Sequence, residues 1–534
     1  MQTAPMLPER RLFLAHTGRL MSLAALAAAY PGAALARTSV YPFTLGVASG
    51  SPRDTGFVLW TRILSEPLNP EPVTRAPLSV RWEVAEDEAF KRIVADGVAT
   101  ALHELAHSVH VDVTGLRPDR WYWYRFMLGD AVSPIGRTRT APAADVLPAR
   151  MRFAVASCQH WDFGHYAAHR HIAAEAPDLV AFLGDYIYER GQYDLKHPDS
   201  PSGRGDESIT LNDYRTRYAQ YKSDPHLQAA HHAAPWIVTW DDHEVANDYA
   251  NDRDERLGGS FMARRAAAYQ AFYEHMPIRL APRPAGAHDF SKLRIFDRVE
   301  WGRLAQFHLL DNRQYRDYQA CQRSGRGGSN IVTTHCTERL SPTRSLLGVE
   351  QESWLADGFV RSKARWNLLA QQTLMAQSVH IPSAQSREDD RFWNDGWDGY
   401  PASRDRLLND IRKHRLANPV VLSGDVHTFY AAELRQDFNR PVSNDNPVVA
   451  TEFCGTSVTS RSRAQSITDQ IVANNPHLQY GRSDRRGFLL MELTPASSTA
   501  RFQALDDVSQ KDSGISTLAS FVVESGKAGA VRTG

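Results

Sequence analysis

The chain has few cysteines, no net charge and no long apolar run. Four cysteines among 534 residues exclude a small scaffold held together by disulfides. The 61 Lys and Arg residues balance the 61 Asp and Glu residues, so no net field favours nucleic acid or a membrane surface, although a local basic patch is compatible with this composition. No stretch is apolar enough to span a bilayer. We therefore expect no transmembrane segment and no specific nucleic-acid partner.

The N-terminus contains the three parts of an export signal in the correct order. Arg10-Arg11 is a twin-arginine core, residues 20–29 are apolar and rich in alanine, and Ala34-Leu35-Ala36 is an A-x-A cleavage site. We predict that residues 1–36 are a twin-arginine signal peptide; the alternative is a chance Arg pair before a short helix. An exported chain would use the twin-arginine translocation machinery and be periplasmic or extracellular.

Two different patterns follow this segment. Residues 37–142 consist of short alternating segments separated by turns, which is typical of a β-sandwich of the fibronectin or immunoglobulin type. Over residues 149–534, strand-like and helical runs alternate, which predicts a layered α/β catalytic domain. The polar, glycine-containing stretch 192–207 is our candidate for a lid loop. The predicted helices cover residues 166–176, 261–275, 354–360 and 405–414.

Three apolar runs each end next to acidic residues. Residues 181–184 precede Asp185, residues 420–424 precede Asp425, and Trp236–Thr239 precede the acidic cluster 241–244. Each run is predicted to be a short buried strand. Open α/β folds bind ligands where such strands end. If the three ends converge they form a two-metal site, and such sites are typical of phosphoester hydrolysis.

The residue types near these strand ends indicate which metals would bind. Thiolate and phenolate ligands suit a strongly polarising ion, because the metal must displace their protons. The candidate ligands of an iron(III) ion are Cys158, Asp185, Tyr188 and His427. Asp185 is the candidate bridge between two ions, whereas Asp242 and Asn247 offer oxygens that suit calcium, magnesium or manganese. Each residue also has an ordinary interpretation: a turn aspartate, a buried structural thiol or a core histidine.

Two further residues are candidates for catalysis. His243 is either a metal ligand or the general acid for the leaving group, and its acidic neighbours favour the protonated form that an acid needs. Arg313 follows another strand-like run and could hold the phosphoryl oxygens; a surface salt bridge would explain it equally well. In the expected reaction, a metal-bound hydroxide attacks phosphorus in line with the leaving alkoxide.

Together these motifs resemble those of PhoD-type alkaline phosphatases/phosphodiesterases, which belong to the calcineurin-like metallophosphoesterase superfamily. The matching segments are Ser157–Gln159, Gly184–Glu189, Trp240–Asn247, Leu310–Arg316 and Gly424–His427, with Phe43–Gly50 and Leu59–Arg62 in the N-terminal part. The resemblance implies a calcineurin-like core, a layered β-sandwich flanked by helices, that binds one iron(III) and calcium. It implies the same four iron ligands, with Asp185 bridging to calcium, and Asn247 with Asp242 or Asp425 completing that side.

The four cysteines fall into two groups. Cys321 and Cys336 flank a Gly/Ser-rich stretch, and we predict that they form a disulfide in an oxidising compartment. Cys158 and Cys454 are expected to be free thiols.

The function that we predict is a secreted, metal-dependent hydrolase of phosphate monoesters, diesters or both, and the resemblance also leaves room for phospholipase D-like activity. The alternative is a non-catalytic surface-binding protein on the same scaffold. An intact set of metal ligands argues against that alternative, because a scaffold has no need of one.

Overall fold

The computed structural model describes residues 40–67, 74–191, 207–279, 289–380 and 390–534. The predicted signal peptide lies outside these ranges, and so does the candidate lid except for Glu207.

The helices are α1 (Ala167–Ala174), α2 (Leu211–Lys222), α3 (Pro225–Ala233), α4 (Phe261–His275), α5 (Gly348–Arg361), α6 (Pro401–Lys413) and α7 (Gln465–Asn474). The strands are β1 (Val47–Arg53), β2 (Gly56–Arg62), β3 (Leu78–Ala85), β4 (Ile93–Ala101), β5 (Ser108–Val113), β6 (Trp121–Leu128), β7 (Ala131–Val132), β8 (Gly136–Arg139), β9 (Met151–Ala156), β10 (Leu179–Leu183), β11 (Trp236–Thr239), β12 (Asp297–Trp301), β13 (Ala305–Leu309), β14 (Ile331–Thr333), β15 (Trp366–Thr373), β16 (Arg391–Trp393), β17 (Pro419–Gly424), β18 (Phe429–Arg435), β19 (Val448–Cys454), β20 (Leu478–Arg482), β21 (Gly487–Leu493), β22 (Ser497–Leu505), β23 (Ile515–Glu524) and β24 (Val531–Arg532).

The first strands form a two-layered β region with a core of its own. Strands β1, β2 and β5 pack against β3, β4, β6, β7 and β8, and Phe57, Val80 and Tyr124 are among the side chains buried between them. The β1 layer does not end at this region, because Gly50 of β1 forms a parallel bridge with Trp236 of β11. One layer of the sandwich is therefore continuous with a sheet of the following part of the chain.

Two large sheets face each other in that following part. The first has the order β24-β23-β22-β21-β9-β10-β11-β1-β2-β5, and the second has the order β12-β13-β15-β17-β19-β18-β20. Strands β9, β10 and β11 are parallel, and so are β13, β15, β17 and β19. Phe153 and Leu179 from the first sheet and Phe307 and Val420 from the second lie in one buried core between them.

The helices cover the outer faces of these sheets. Because successive side chains of a strand point to opposite faces, Ala154 and Phe182 face helices α1 to α4, whereas their sequence neighbours face the second sheet. Helices α5 to α7 pack on the outer face of the second sheet, around Leu369 and Val421. The resulting α/β/β/α layering, preceded by an all-β region, confirms the predicted fold class.

Most of the predicted helices occur where the sequence placed them. The helix over residues 261–275 has the predicted bounds, and α1 lies inside the predicted range 166–176. Helices α5 and α6 begin earlier than predicted; α6 starts at Pro401, a favoured first helical residue because its missing N–H has no partner to lose there. Within the described residues, each helix is too short or too polar to traverse a bilayer.

Candidate metal centre

The candidate ligands follow the carboxyl ends of strands in both sheets. Cys158 comes two residues after β9, Asp185 two residues after β10, and Asp425 directly after β17. Strand β11 ends two residues before Asp241, the first residue of the acidic cluster 241–244. Since β9, β10 and β11 run parallel in one sheet and β17 belongs to the facing sheet, their ends meet at one edge of the two-sheet sandwich.

Three overlapping groups of ligand atoms form at this edge. Atoms of Cys158, Asp185 and His427 lie within 4.8 Å of one another, and so do atoms of Asp185, Asp242 and His243. The third group, with the same spacing, comprises Asp241, Asp242 and Asp425. Asp185 is common to the first two groups and Asp242 to the last two, which is an arrangement that suits neighbouring ions sharing ligands.

Tyr188 joins the first group from the turn after β10. Its hydroxyl donates to Asp185 Oδ2 at 2.9 Å and lies 3.2 Å from His427 Nε2. His427 is oriented from behind, because its Nδ1 lies 2.6 Å from the carbonyl oxygen of Arg461. The Nε2 atom of His427 is therefore the nitrogen that faces Asp185 and Tyr188.

The carboxylates of the site have unsatisfied oxygens. One oxygen of each of four aspartates is buried with no hydrogen-bond partner among the described residues: Asp185, Asp241, Asp242 and Asp425. Burial and neighbouring carboxylates raise the pKa values of Asp185 and Asp425 well above the usual range. Such oxygens are costly to bury without a partner. Bound cations would supply both the missing partners and the opposing charge, so these residues fit a metal centre.

Gly184 allows two strand ends to approach closely. Its φ is +102°, and a Cβ atom at this position would lie 2.5 Å from Cβ of Asp241. The position therefore excludes a side chain for two reasons, conformation and space. With glycine here, the chain that carries Asp185 passes directly beside the chain that carries Asp241 and Asp242.

Glu244, which the sequence analysis did not single out, fastens these two strand ends together. Its Oε2 accepts hydrogen bonds from the backbone N–H groups of Asp185 at 3.1 Å and Asp241 at 2.7 Å, and its Oε1 accepts one from Tyr186 at 2.5 Å. The side chain is almost fully buried. A signal for this role was present, since Glu244 lies inside the acidic cluster, but its inward orientation has no sequence signature.

Glu189 positions two further candidates. Its Oε2 lies 2.7 Å from His243 Nδ1, and its Oε1 accepts from the backbone N–H of Asn247 at 3.1 Å. Asn247 Nδ2 donates to Glu255, which leaves the Asn247 Oδ1 atom available to the site. Burial alone would lower the pKa of His243, but the carboxylates of Asp242, Glu189 and Asp185 outweigh it and raise this pKa well above the usual value.

Arg313 is buried behind the site. Its side chain is 2% exposed, and its guanidinium forms ion pairs with Asp241, with Asp395 at 2.5 Å and with Asp242 at 3.4 Å. The surface salt bridge considered from sequence is therefore wrong. These ion pairs also occupy the guanidinium, which leaves it poorly placed to contact a substrate. Asp395, which also binds Arg316 at 2.6 Å, comes two residues after β16; it was not predicted as a site residue, because its contacts are with arginines distant in the sequence.

The disulfide between Cys321 and Cys336 is present, as predicted, whereas Cys158 and Cys454 are free and buried.

A cavity of about 430 Å³ opens over the centre. Tyr188, His243, Asn247 and His427 line its inner part. Arginines and glutamates line much of its outer part, together with His160 and Phe163. Three of the predicted metal ligands, Tyr188, Asn247 and His427, therefore line this polar cavity, and the other four do not reach its surface.

Comparisons with known proteins agree with this geometry. The family model described as "PhoD-like phosphatase" matches residues 153–502, and the model described as "PhoD-like phosphatase, N-terminal domain" matches residues 27–142. The chain is 43% identical to alkaline phosphatase D of Bacillus subtilis (strain 168), with 98% of this chain and 88% of that protein covered. The solved structure described as "Structure of PhoD" superposes with a TM-score of 0.85 and 44% identity, covering 93% of each chain.

Proposed function

This chain belongs to the PhoD-like phosphatase family and is a metal-dependent phosphoester hydrolase, and we propose that it acts as an alkaline phosphatase/phosphodiesterase. The observation that carries the proposal is the convergence of buried carboxylate oxygens that lack hydrogen-bond partners with Cys158, Tyr188 and His427, the last two of which line one cavity. A site of this kind is built for cations, and two neighbouring cations are suited to phosphoryl transfer.

We assign the metals by the chemistry of the donor atoms. Iron(III) would be held by Cys158, Asp185, Tyr188 and His427, because thiolate and phenolate suit a strongly polarising ion. Asp185 would bridge to a calcium ion, with manganese or magnesium as alternatives, and the other ligands would be oxygens of Asp242, Asn247 and Asp425. When bound, the ions supply Lewis acidity and positive charge to the phosphoryl group and the attacking water.

His243 is proposed as the general acid. Its Nδ1 is engaged by Glu189 at 2.7 Å, so Nε2 is the nitrogen left to give a proton to the leaving alkoxide. The acidic residues around the ring raise the pKa of His243 and so favour the protonated state, which an acid requires. The stacking of its ring on Tyr188, with ring centres 4.1 Å apart, holds the ring beside the candidate iron ligands.

Arg313 is proposed as a positioning residue. Because its guanidinium is buried between Asp241, Asp242 and Asp395, it orients Asp242 and offsets part of the negative charge of the cluster. This assignment replaces the direct phosphoryl contact considered from the sequence.

Export and domain division are also proposals. Residues 1–36 would direct the folded chain through the twin-arginine machinery to the periplasm or outside the cell. The disulfide between Cys321 and Cys336 is compatible with an oxidising compartment. Residues 37–142 would form the N-terminal sandwich domain, and residues 149–534 the catalytic domain.

The first experiment compares kcat/KM for bis(p-nitrophenyl) phosphate and p-nitrophenyl phosphate at alkaline pH, with the mature protein and its native metals. Turnover of the diester at a higher kcat/KM would direct the search for substrates to diesters, and the opposite preference would direct it to monoesters. Turnover of neither would refute the proposed hydrolase and favour the surface-binding alternative.

The metal centre is tested with Asp185→Asn. Removing the shared carboxylate should lower kcat by roughly three orders of magnitude or more and reduce the bound iron and divalent ion, because both depend on this bridge. Metal content by elemental analysis and folding by circular dichroism are measured together. A folded variant that retains full activity and both metals would remove Asp185 from the bridge.

A further inference from the structure

Five arginines line the cavity over the centre, and four of them are paired with glutamates. Glu207 forms ion pairs with three, and Glu255 binds the fourth at 2.8 Å. The paired arginines are Arg190, Arg256, Arg264 and Arg326. Each of these four guanidiniums is engaged by a carboxylate, and the two glutamates together with Asp254, which lies 4.0 Å from Arg264, offset three of the four charges.

Arg461 is the exception. No carboxylate lies within ion-pair distance of its guanidinium among the described residues, although it lines the same cavity. The residue is exposed at the mouth of the cavity. An unpaired guanidinium facing a cavity can form two parallel hydrogen bonds with an oxyanion.

The side chain of Arg461 is held in place by neighbouring aromatic rings. Its guanidinium carbon lies 4.3 Å from the centre of the Phe163 ring, and Phe163 in turn stacks on His160 with ring centres 4.2 Å apart. Its carbonyl oxygen lies 2.6 Å from His427 Nδ1. The backbone is thus tied to a candidate metal ligand, and the planar head is supported on one face, while its N–H edge has no acceptor among the described residues.

We propose that Arg461 binds an oxyanion of the phosphoester substrate in this cavity. The inference rests on the proposed hydrolase function and extends it to the group that recognises the substrate. Two sources of the oxyanion share this chemistry: the non-bridging oxygens of the scissile phosphate, and a second phosphate carried elsewhere on the substrate. In the first case Arg461 contributes to the binding of every phosphoester, and in the second it favours substrates that carry the additional phosphate.

The test compares Arg461→Ala and Arg461→Lys with the control Arg463→Ala. Arg463 has the same charge on the same segment but lines a different hollow, beside Trp397 and Tyr430. The substrates are bis(p-nitrophenyl) phosphate and the p-nitrophenyl ester of thymidine 5′-phosphate, with and without a 3′-phosphate. Iron and divalent-ion content is measured for each variant, to separate loss of an anion contact from disturbance of His427.

We expect Arg461→Ala to raise KM by roughly 10-fold or more, with kcat changed by less than about threefold and metal content intact, since a charge-assisted hydrogen bond is lost. Arg461→Lys should recover part of the loss, and Arg463→Ala should behave as the unmodified protein. An equal effect on all substrates assigns Arg461 to the scissile phosphate. A larger effect on the substrate with the 3′-phosphate assigns it to a second phosphate.

Kinetic constants of Arg461→Ala that match those of Arg463→Ala would overturn the proposal. Failure of the hydrolase function itself is a separate outcome, because the unmodified protein would then turn over no ester. In that event, calorimetric titration with inorganic phosphate decides the role of Arg461: weaker binding to Arg461→Ala than to Arg463→Ala supports the anion site, and equal binding refutes it.

Discussion

Four of the candidate ligands have a backbone conformation that side chains rarely adopt. The φ angles of Cys158, Asp185, Asp425 and His427 are +60°, +56°, +61° and +53°. Each such residue costs on the order of 1–3 kcal/mol, which the surrounding structure must offset. This conformation changes the direction of the chain. It makes a sharp turn after the strand, so the side chain points back across the strand ends rather than into solvent.

The hydroxyl proton of Ser460 has two acceptors within reach, one of which is the Tyr188 oxygen. The Ser460 hydroxyl lies 2.9 Å from the carbonyl oxygen of Cys158 and 2.6 Å from the Tyr188 oxygen, and it can donate to one of them at a time. A protonated Tyr188 leaves it free to donate to Cys158. If Tyr188 binds iron as a phenolate, the Ser460 proton turns to the phenolate oxygen and stabilises its charge.

The first prediction follows from this geometry. Ser460→Ala should shift the phenolate-to-iron absorption band to longer wavelength, because the phenolate loses a hydrogen bond that lowers the energy of its electrons. Visible spectroscopy of the iron-loaded protein measures the shift. Tyr188→Phe should abolish the band, and Ser462→Ala, whose hydroxyl contacts Thr428 instead, should leave it unchanged. A spectrum of Ser460→Ala identical to that of the unmodified protein would contradict the contact.

At the scale of elements, the centre depends on how the ends of β10 and β11 are joined. Glu244 accepts three backbone N–H groups from the two turns. Burial raises the pKa of Glu244 to about 8, against the effect of these hydrogen bonds. The two strands are already paired over Val180–Leu183. Glu244 holds together the two turns that follow this pairing, and these turns carry the candidate ligands.

The second prediction concerns Glu244→Gln. Glutamine can place its carbonyl oxygen toward two of the N–H groups. Its NH₂ group would then face the third N–H group, and because both are donors, that hydrogen bond is lost. We expect a loss of about 1.5–3 kcal/mol of unfolding free energy, with weaker retention of metal. Denaturant unfolding and metal content are measured. Glu492→Gln is the control, because within the described residues the Glu492 carboxylate forms only the salt bridges with Arg150 and Arg152, away from the centre. Unchanged stability would show that Glu244 does not join the strand ends.

Sequence reasoning succeeded where one residue pattern determines a strand and the carboxylate that follows it. The apolar runs before Asp185 and Asp425 predicted the buried strands β10 and β17. Parallel strands bring their carboxyl ends to one edge only within a sheet; these two strands belong to facing sheets, so the meeting of their ends depends on how the sheets pack. It failed for groups whose role depends on orientation or on distant partners, such as Glu244 and Ser460. It also failed for the bridge between Gly50 and Trp236, because a contact that involves one residue pair leaves no repeating pattern in the sequence.

At the scale of the whole molecule, the junction of the sandwich and the α/β layers buries a cluster of bases. Lys222 is almost fully buried at the end of α2; its Nζ lies 4.2 Å from the centre of a Trp60 ring and 3.5 Å from His231 Nε2. No carboxylate pairs with it among the described residues. Burial lowers its pKa well below the usual value. The groups that sense its charge are also bases with lowered pKa values: His110, His231, His232 and His275.

The third prediction follows from the sign of this shift. Between the lowered pKa of Lys222 in the folded chain and its ordinary pKa of about 10.4 in the unfolded chain, the unfolded chain holds a proton that the folded chain lacks, so stability rises with pH over that interval. Lys222→Met should raise the unfolding free energy at pH 7 by roughly 1–4 kcal/mol and flatten its rise between neutral and alkaline pH.

Thermal and denaturant unfolding across this pH range measure the effect. Lys527→Met serves as the control, because Lys527 is an exposed residue beside Glu524. A pH profile of Lys222→Met that parallels the profile of the unmodified protein would mean that Lys222 is charged in the folded state.

The bridge between Gly50 and Trp236 also has a consequence for association between copies of the protein. A Cβ atom at position 50 would lie 2.6 Å from the carbonyl oxygen of Trp236, so glycine lets the sandwich come directly against β11. Without the sandwich, the segment Trp236-Ile-Val-Thr239 would be an exposed, uncharged edge strand, and such edges recruit strands from other molecules into aggregates. The strand that leads to Asp242 would then offer its free edge to a second copy of the enzyme, and we expect the N-terminal region to hinder this pairing at Trp236.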